Sequence, residues 1–190
     1  VAGRDFRVTA SIGIAVYPRD GATAEQLLRN ADIAMYKVKS SGKNGGQLFT
    51  AEMDAGWQRR LALENDLRRA IDQDELLLHF QPQFSLREGR VIGAEVLLRW
   101  HHPRLGLLPP SEFITIAEES GLICTLSDWV VEAACRQFAQ WRADGRGLAR
   151  VAVNLSAVEF GRNDIVERIA GRAERHRMPR DALEIELSEN

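Results

Sequence analysis

The sequence predicts an α/β protein, and three observations support this fold class. A hairpin of two strands is predicted after residue 74, and helical stretches follow it. From residue 149 onward, strand and helix patterns alternate, and this order is typical of a parallel sheet with crossover helices. Hydrophobic residues make up 45% of the 190-residue chain, which is enough to form buried cores. We therefore expect folded α/β structure rather than disorder.

The first 50 residues are predicted to form a strand, a helix and a second strand. Residues 6–17 are β-branched and apolar, and turn-forming residues at positions 18–21 end this strand. Thr23 is a suitable N-cap for the helix that follows, and the helical pattern continues until Gly42. A second, short strand is predicted over residues 47–50.

Residues 51–74 have the pattern of an amphipathic helix with charged outer faces. Trp57, Leu61, Leu67 and Ile71 recur among many charged residues. Two interpretations fit this periodicity: a helix that connects two domains, or an ordinary packed helix of one continuous domain. We take the connecting helix as the working prediction.

The rest of the chain contains the elements of the α/β fold. Two strands with a turn at Glu88 and Gly89 form the predicted hairpin, and we interpret His101 and His102 as loop residues that follow it. The predicted bounds are 76–86 and 91–100 for the hairpin strands, 112–121 and 127–145 for two helices, and then strand 149–156, helix 164–177 and strand 183–189.

Polar side chains interrupt the apolar pattern of three of these strands. Glu95 lies in the second hairpin strand, on the same face as Arg99. Asn154 lies in the next strand, and Glu184 and Glu186 share one side of the last strand. Burial of an unpaired carboxylate is costly, so these residues require a compensating partner if the sheet is covered on both sides.

A divalent cation is one partner that compensates this cost. Oxygen atoms of Glu and Asn suit hard cations such as Mg²⁺ or Mn²⁺, and the absence of a Cys/His cluster argues against a structural zinc site. In a barrel, active sites lie at the C-terminal ends of the strands, where we expect Glu95, Asn154 and Glu186. Two alternatives stay open: the polar side chains face solvent, or they form salt bridges with Arg99 and other cations.

Five segments, in order, resemble the EAL domain family of phosphodiesterases. The segment Glu95-Val96-Leu97-Leu98-Arg99-Trp100 resembles the signature of that family. Five ordered matches are far more specific than a single tripeptide. The other four are Phe80-Gln81-Pro82-Gln83, residues 112–123, Val153-Asn154-Leu155-Ser156 and Glu184-Ile185-Glu186-Leu187-Ser188-Glu189.

The resemblance implies a TIM-barrel-like fold and the hydrolysis of cyclic di-GMP to linear pGpG. It implies that Glu95, Asn154 and Glu186 bind a pair of Mg²⁺ or Mn²⁺ ions, with Glu95 essential for catalysis. It also implies that Gln81 and Arg99 contact the dinucleotide. In this family the two ions polarise the scissile phosphodiester and lower the pKa of a bridging water.

The chain departs from the family pattern in two respects. Val96, Thr115 and Ser188 replace the usual Ala, Pro and Thr, and none of the three is an expected metal ligand. The paired aspartates, the catalytic lysine and the later glutamate and glutamine of the family are expected beyond Asn190. We therefore expect residues 75–190 to be the N-terminal half of an EAL domain that lacks part of the catalytic apparatus.

Residues 8–15, 31–39 and 41–44 resemble the end of a GGDEF diguanylate cyclase domain. The resemblance implies that residues 1–50 are the C-terminal part of such an α/β domain. Residues 51–74 would then connect it to the EAL domain, and the chain would be a piece of a tandem GGDEF-EAL protein.

Charge and hydropathy restrict the expected partners and compartment. The formal net charge is -2 and the pI is about 6.1, so no basic field favours duplex nucleic acid. We expect Cys124 and Cys135 to be core thiols in a reducing compartment. No run of about 18 apolar residues occurs. We expect a cytoplasmic protein, with any membrane anchor of the parent outside this chain.

Three functions are considered for the full-length parent, which we expect to form a homodimer. The first is metal-dependent hydrolysis of cyclic di-GMP in bacterial second-messenger signalling. The alternative is a catalytically inactive module that binds cyclic di-GMP and signals through the connecting helix. A structural or partner-binding role without either activity is the third. Residues outside the chain, the paired aspartates above all, discriminate between the first two.

Overall fold

The structure is a computed structural model, and it describes residues 8–146, 148–161, 163–179 and 181–188. The chain divides into two compact units, Val1–Ala62 and Leu63–Asn190. A two-stranded sheet forms in the first unit and a five-stranded sheet in the second. Residues 6–7 of the first predicted strand and Glu189 of the last lie outside the described residues.

The first unit contains two parallel strands joined by a helix. β1 (Ser11–Ile14) pairs in parallel with β2 (Gly45–Leu48), and α1 (Ala24–Ser40) connects them. The backbone N–H of Gln26 donates a hydrogen bond to Oγ1 of Thr23 at 3.2 Å, which confirms the predicted cap of α1. The strand–helix–strand order predicted for this region is therefore correct.

The backbone of α1 passes very close to β1 at Gly13. A Cβ atom built on Gly13 would lie 1.8 Å from the carbonyl oxygen of Ala31 and 2.3 Å from the amide nitrogen of Met35. Both neighbours are backbone atoms of a regular helix, so neither can move aside cheaply. Glycine at position 13 is thus what permits this approach of helix and strand.

A helix forms in the predicted connecting region as α2 (Ala51–Ala70), and it ends before the predicted bound at residue 74. The division between the two units falls inside this helix, and its role as a connector between domains stays a prediction. Within the first unit, the ring of Trp57 packs edge-on against Tyr36, with 5.0 Å between ring centroids. Within the second unit, Leu63 and Leu67 are buried in the hydrophobic core. Each half of the helix therefore packs with its own unit.

The second unit has a mixed sheet with helices against it. The strand order is β3-β4-β6-β7, with β5 paired to β4 outside this path. β3 and β4 form the predicted antiparallel hairpin, and β4, β6 and β7 run parallel, as the α/β prediction requires. The elements are β3 (Leu76–Ser85), β4 (Arg90–His102), β5 (Gly106–Leu108), α3 (Ile114–Glu119), α4 (Ile123–Ala143), β6 (Arg150–Ser156), α5 (Ile165–Arg175) and β7 (Leu183–Ser188).

One face of this sheet forms the hydrophobic core with α3 and α4. Trp100 of β4 is fully buried and packs edge-on against Phe113, with 5.6 Å between centroids. Full burial of one large apolar side chain contributes about 1.5–3 kcal/mol, so the many buried side chains of this layer stabilise the unit substantially. Its other strand residues are Val96, Leu98, Val151, Val153 and Leu155, and the helices add Ile116, Leu126, Val130 and Phe138.

The interpretation of His101 and His102 as loop residues is wrong. Both belong to β4, because β5 pairs with the end of that strand and extends it: His101 lies opposite Leu107, and His102 lies opposite Gly106. The short strand β5 and two 3₁₀ helices, at Pro110–Glu112 and Ala157–Gly161, were not predicted. Elements of three to five residues are too short to show a periodicity.

His102 and Asp66 form a buried pair between β4 and α2. The His102 side chain is 1% exposed, and its Nε2 lies 3.0 Å from Oδ2 of Asp66. Nδ1 of His102 accepts hydrogen bonds from the backbone N–H groups of Arg104 and Leu105, so Nε2 carries the proton and donates to Asp66. Burial opposes ionisation of Asp66, but hydrogen bonds from His102 and Arg104 and the charge of Arg69 lower its pKa overall.

Replacement of Asp66 by alanine is expected to destabilise the second unit by about 1–3 kcal/mol, because the buried His102 N–H loses its acceptor. The lowered pKa makes Asp66 stabilising above the unfolded-state pKa of about 3.9, and this contribution disappears as the pH falls below it. Urea unfolding at pH 7 and at about pH 2.5, below the unfolded-state pKa, measures both effects. The control is Glu64→Ala on the same helix, where a loose ion pair with Arg68 contributes at most about 1 kcal/mol. Equal losses in the two variants would contradict this prediction.

Candidate metal and dinucleotide site

The strand register brings the predicted site residues to the sheet face opposite the hydrophobic core. Gln81 of β3 pairs with Glu95 of β4, and Asn154 of β6 pairs with Glu186 of β7. Glu95 also lies beside Ala152, two residues before Asn154, so the two pairs occupy adjacent levels of one face. Four polar residues from four separate strands are thus brought together.

Asn154 and Glu95 are in direct contact. Nδ2 of Asn154 donates a hydrogen bond to Oε1 of Glu95 at 2.8 Å. Glu95 is half-buried and Asn154 is exposed, so the pair lies at the open surface of the sheet. The amide oxygen of Asn154 and the second carboxylate oxygen of Glu95 keep acceptor capacity for another partner.

Two carboxylates on the same side of β7 have different surroundings. Oε2 of Glu184 lies 3.2 Å from Nε of Arg150, which also donates to Oε1 of Gln83 at 3.3 Å. Within the described part of the chain, the Glu186 carboxylate has no hydrogen-bond or ion-pair partner. The salt-bridge alternative therefore applies to Glu184, while Glu186 keeps its oxygens available.

Arg99 lies on the same face of β4 as Glu95, but its guanidinium does not neutralise the charge of the nearby carboxylates. Its Nη1 donates to the carbonyl oxygen of Leu98 at 2.7 Å. Among the described residues, no salt bridge joins Arg99 to Glu95 or Glu186, so the proposed pairing with Arg99 is wrong. The remaining N–H groups of Arg99 are available to a ligand.

A cavity of about 620 Å³ adjoins Asn154, where β4 and β6 separate. The ladder between these strands ends at Val96 and Val153, although both strands continue beyond it. A volume of this size is within the range of small-molecule sites. The lining is mainly apolar and includes Leu97, Pro110, Ile114 and Leu126, with Glu118, Ser127 and Ser156 as polar members.

The donor atoms of Glu95, Asn154 and Glu186 fit a hard divalent cation. Two carboxylates and one amide supply only oxygen ligands, and Glu186 lacks a competing partner within the described residues. No group of three or more His, Cys, Asp or Glu side chains in the described ranges is arranged to hold a metal ion. The predicted set contains only two such residues and an Asn, so its role as a ligand set stays a prediction.

Sequence reasoning missed two hydrogen-bonded pairs of polar residues beside this site. Oγ of Ser156 donates a hydrogen bond to Oε1 of Glu118 at 2.5 Å, and Oγ of Ser127 donates to Oε2 of Glu159 at 2.6 Å. Burial raises the pKa of the Glu159 carboxyl, although the bond from Ser127 and one from the Ser156 backbone oppose the rise. The available signal was the position of Ser156, which shares a strand face with Asn154.

Comparison with protein families matches residues 64–190 to the EAL domain. The chain belongs to the EAL domain family. Residues 1–45 match the GGDEF domain of diguanylate cyclases, in its C-terminal part, so the chain joins GGDEF and EAL sequences. Both resemblances predicted from the sequence are confirmed.

Curated relatives of this EAL protein include several signalling proteins. It is 41% identical over 190 residues to the bifunctional diguanylate cyclase/cyclic di-GMP phosphodiesterase MucR of Pseudomonas aeruginosa, covering 100% of this chain and 28% of MucR. It is 39% identical over 188 residues to the cyclic di-GMP phosphodiesterase NbdA of the same organism, covering 99% and 24%. It is 44% identical over 149 residues to the cyclic di-GMP phosphodiesterase PdeR of Escherichia coli, covering 78% and 22%. The chain thus spans about a quarter of these relatives.

Solved EAL structures share the fold of the second unit. The complex of the PaMucR phosphodiesterase with c-di-GMP superposes with a TM-score of 0.64 at 39% identity, covering 68% of this chain and 52% of that one. The Xanthomonas citri FimX EAL domain in complex with c-di-GMP gives 0.61 at 25% identity, covering 72% and 52%. EAL domains are TIM-barrel-like, and this chain contains part of such a domain.

Within the described residues, none of the helices combines the length and the apolar character needed to cross a bilayer.

Proposed function

We propose that the full-length protein hydrolyses cyclic di-GMP to pGpG with divalent metal ions. Two of its relatives are named cyclic di-GMP phosphodiesterases, which supports the proposed substrate. One observation carries the proposal: the strand register gathers Glu95, Asn154 and Glu186 on one face, with the Glu95–Asn154 contact at 2.8 Å. EAL phosphodiesterases generally depend on divalent metal ions, and these oxygen donors suit Mg²⁺ or Mn²⁺.

Each residue has a role that its position supports. Glu95, Asn154 and Glu186 would hold metal ions through their oxygens. Bound metal would polarise the phosphodiester and acidify a water, the two-metal form of hydrolysis. Arg99 would neutralise phosphate charge through its planar N–H groups, and Gln81, which is exposed opposite Glu95, would donate to the dinucleotide. The neighbouring cavity offers an apolar wall for part of a nucleotide.

The proposal extends to the organisation of the protein. Residues 1–50 would be the end of the GGDEF domain, residues 51–74 the connecting helix and residues 75–190 the first half of the EAL domain. The full-length protein would act in bacterial second-messenger signalling, as a homodimer in the cytoplasm. The free thiols of Cys124 and Cys135 are in keeping with a reducing compartment.

The test is to incubate the full-length protein with cyclic di-GMP and Mg²⁺ or Mn²⁺, separate the nucleotides by chromatography, and measure cyclic di-GMP binding on the same preparation. Conversion to pGpG is the expected result. Binding of cyclic di-GMP without its conversion would contradict the proposed hydrolysis and favour a receptor. Absence of both binding and conversion would favour a structural role.

A further inference from the structure

Ser156 is a buried polar residue at the end of β6, two residues after Asn154. It is 7% exposed and lies on the same face of the strand as Asn154. Its hydroxyl donates to Oε1 of Glu118 at 2.5 Å, and its Oγ accepts from the backbone N–H of Val158 at 3.3 Å. The hydroxyl thus both donates and accepts a hydrogen bond. Its bond to the Glu118 carboxylate belongs to the class of charge-assisted hydrogen bonds, which are stronger than bonds between neutral groups.

The turn that follows β6 is fixed by a second carboxyl. Glu159 is 1% exposed and accepts a hydrogen bond from the Ser127 hydroxyl of α4 at 2.6 Å. The backbone of Ser156 also bonds to the Glu159 side chain. The carboxyl groups of Glu118, before β6 in the sequence, and Glu159, after it, therefore both bond to Ser156.

These bonds lie where the backbone ladder does not reach. Pairing between β4 and β6 ends at Val96 and Val153, so residues 154–156 have no ladder bonds to β4. The Ser156–Glu118 bond instead ties this end of β6 to α3 across the cavity beside Asn154. The end of β6 has ladder bonds to β7 but not to β4. Without the Ser156–Glu118 bond, we expect it to shift more freely.

We propose that Glu118 and Ser156 are positioning residues that hold the end of β6 so that Asn154 stays against Glu95. The inference rests on the proposed function, because the position of Asn154 matters for metal binding. Neither residue needs to touch the metal or the substrate. Groups that hydrogen-bond directly to metal ligands change metal affinity by about 10–100-fold when they are removed, and Glu118 and Ser156, which act through the backbone of β6, are expected to fall at the lower end of that range.

The test uses Mn²⁺ binding to the full-length protein, followed by the electron paramagnetic resonance signal of free Mn²⁺, without nucleotide. Glu118→Ala is expected to raise the dissociation constant about tenfold or more, and Ser156→Ala by a similar factor. Glu118→Gln keeps an oxygen acceptor for the Ser156 hydroxyl and is expected to stay within about threefold of the parent protein. The control is Glu167→Ala on the exposed surface of α5.

A further readout separates positioning from stability. The double variant Glu118→Ala with Ser156→Ala is expected to bind Mn²⁺ no more weakly than Ser156→Ala alone, because Ser156→Ala already removes the bond to Glu118 together with the longer bond from the Val158 N–H. Ser156→Ala removes only a hydroxyl oxygen, so it carries the test if Glu118→Ala does not fold.

Three outcomes would overturn the inference: unchanged Mn²⁺ affinity in Ser156→Ala, equal losses in Glu118→Gln and Glu118→Ala, or additive losses in the double variant. In each case the parent protein still binds Mn²⁺ and hydrolyses cyclic di-GMP, so the proposed function stands. A parent protein that binds no Mn²⁺ would instead remove the metal basis of the proposed function, and this inference with it.

Discussion

Replacement of Glu95 by alanine is expected to lower the rate of cyclic di-GMP hydrolysis by the full-length protein about a thousandfold or more. A bound metal ion supplies several kcal/mol of transition-state stabilisation, and each 1.36 kcal/mol corresponds to a factor of ten in rate. Glu95 is the residue that contacts Asn154 and also lies beside Gln81, so its loss removes the centre of the proposed site.

Glu184→Ala is the matched control for Glu95→Ala. Glu184 is a carboxylate on the same sheet face, but it pairs with Arg150, and both side chains are more than 40% exposed. Exposed pairs of this kind contribute little, so we expect the rate to stay within about threefold of the parent value. Steady-state formation of pGpG, with circular dichroism to verify folding, measures both variants. Similar losses of rate in the two variants would contradict a specific role of Glu95 as a metal ligand, because they would show that hydrolysis depends equally on another carboxylate of this face.

The second large effect is expected for Gly13→Ala, which should destabilise the first unit by about 3 kcal/mol or more. This value is the upper end of the range that is typical of overpacked cores. The added Cβ would overlap the Ala31 carbonyl oxygen at 1.8 Å, so β1 and α1 would have to separate. Hydrogen exchange of the amides of β1 and α1 in the full-length protein reports the stability of this unit directly.

Gly46→Ala provides the control on the paired strand. A Cβ on Gly46 would lie 3.9 Å from its nearest neighbour, the carbonyl oxygen of Ile12, which is an ordinary contact. We expect exchange in this variant to change little, and protection to rise slightly if the alanine restricts the unfolded chain. Unchanged exchange in Gly13→Ala would show that the strand and helix are farther apart than the structure has them.

The face on which each polar residue lies was predictable, and the pairing between strands was not. Period-two alternation alone places Glu95 with Arg99 and Glu184 with Glu186. The register that sets Asn154 beside Glu186 depends on contacts between distant segments, and a slip of one residue would move Asn154 to the other face. The resemblance to EAL domains supplied the grouping that periodicity could not supply.

Contacts between a helix and a strand were the other missing information. The bond from Ser156 to Glu118 joins residues 38 positions apart, and local patterns do not show such pairs. The prediction for His102 failed for a similar reason, because its place in β4 depends on pairing with the three-residue strand β5 and its burial depends on Asp66. A Ser or His in isolation does not reveal its partner.

The most direct test of the central claim is hydrolysis of cyclic di-GMP by the full-length protein after its metal ions have been removed with a chelator and then restored. We predict that pGpG formation falls to background in the chelated protein and returns on addition of Mg²⁺ or Mn²⁺. Undiminished hydrolysis by the chelated protein would contradict the assignment of Glu95, Asn154 and Glu186 as metal ligands.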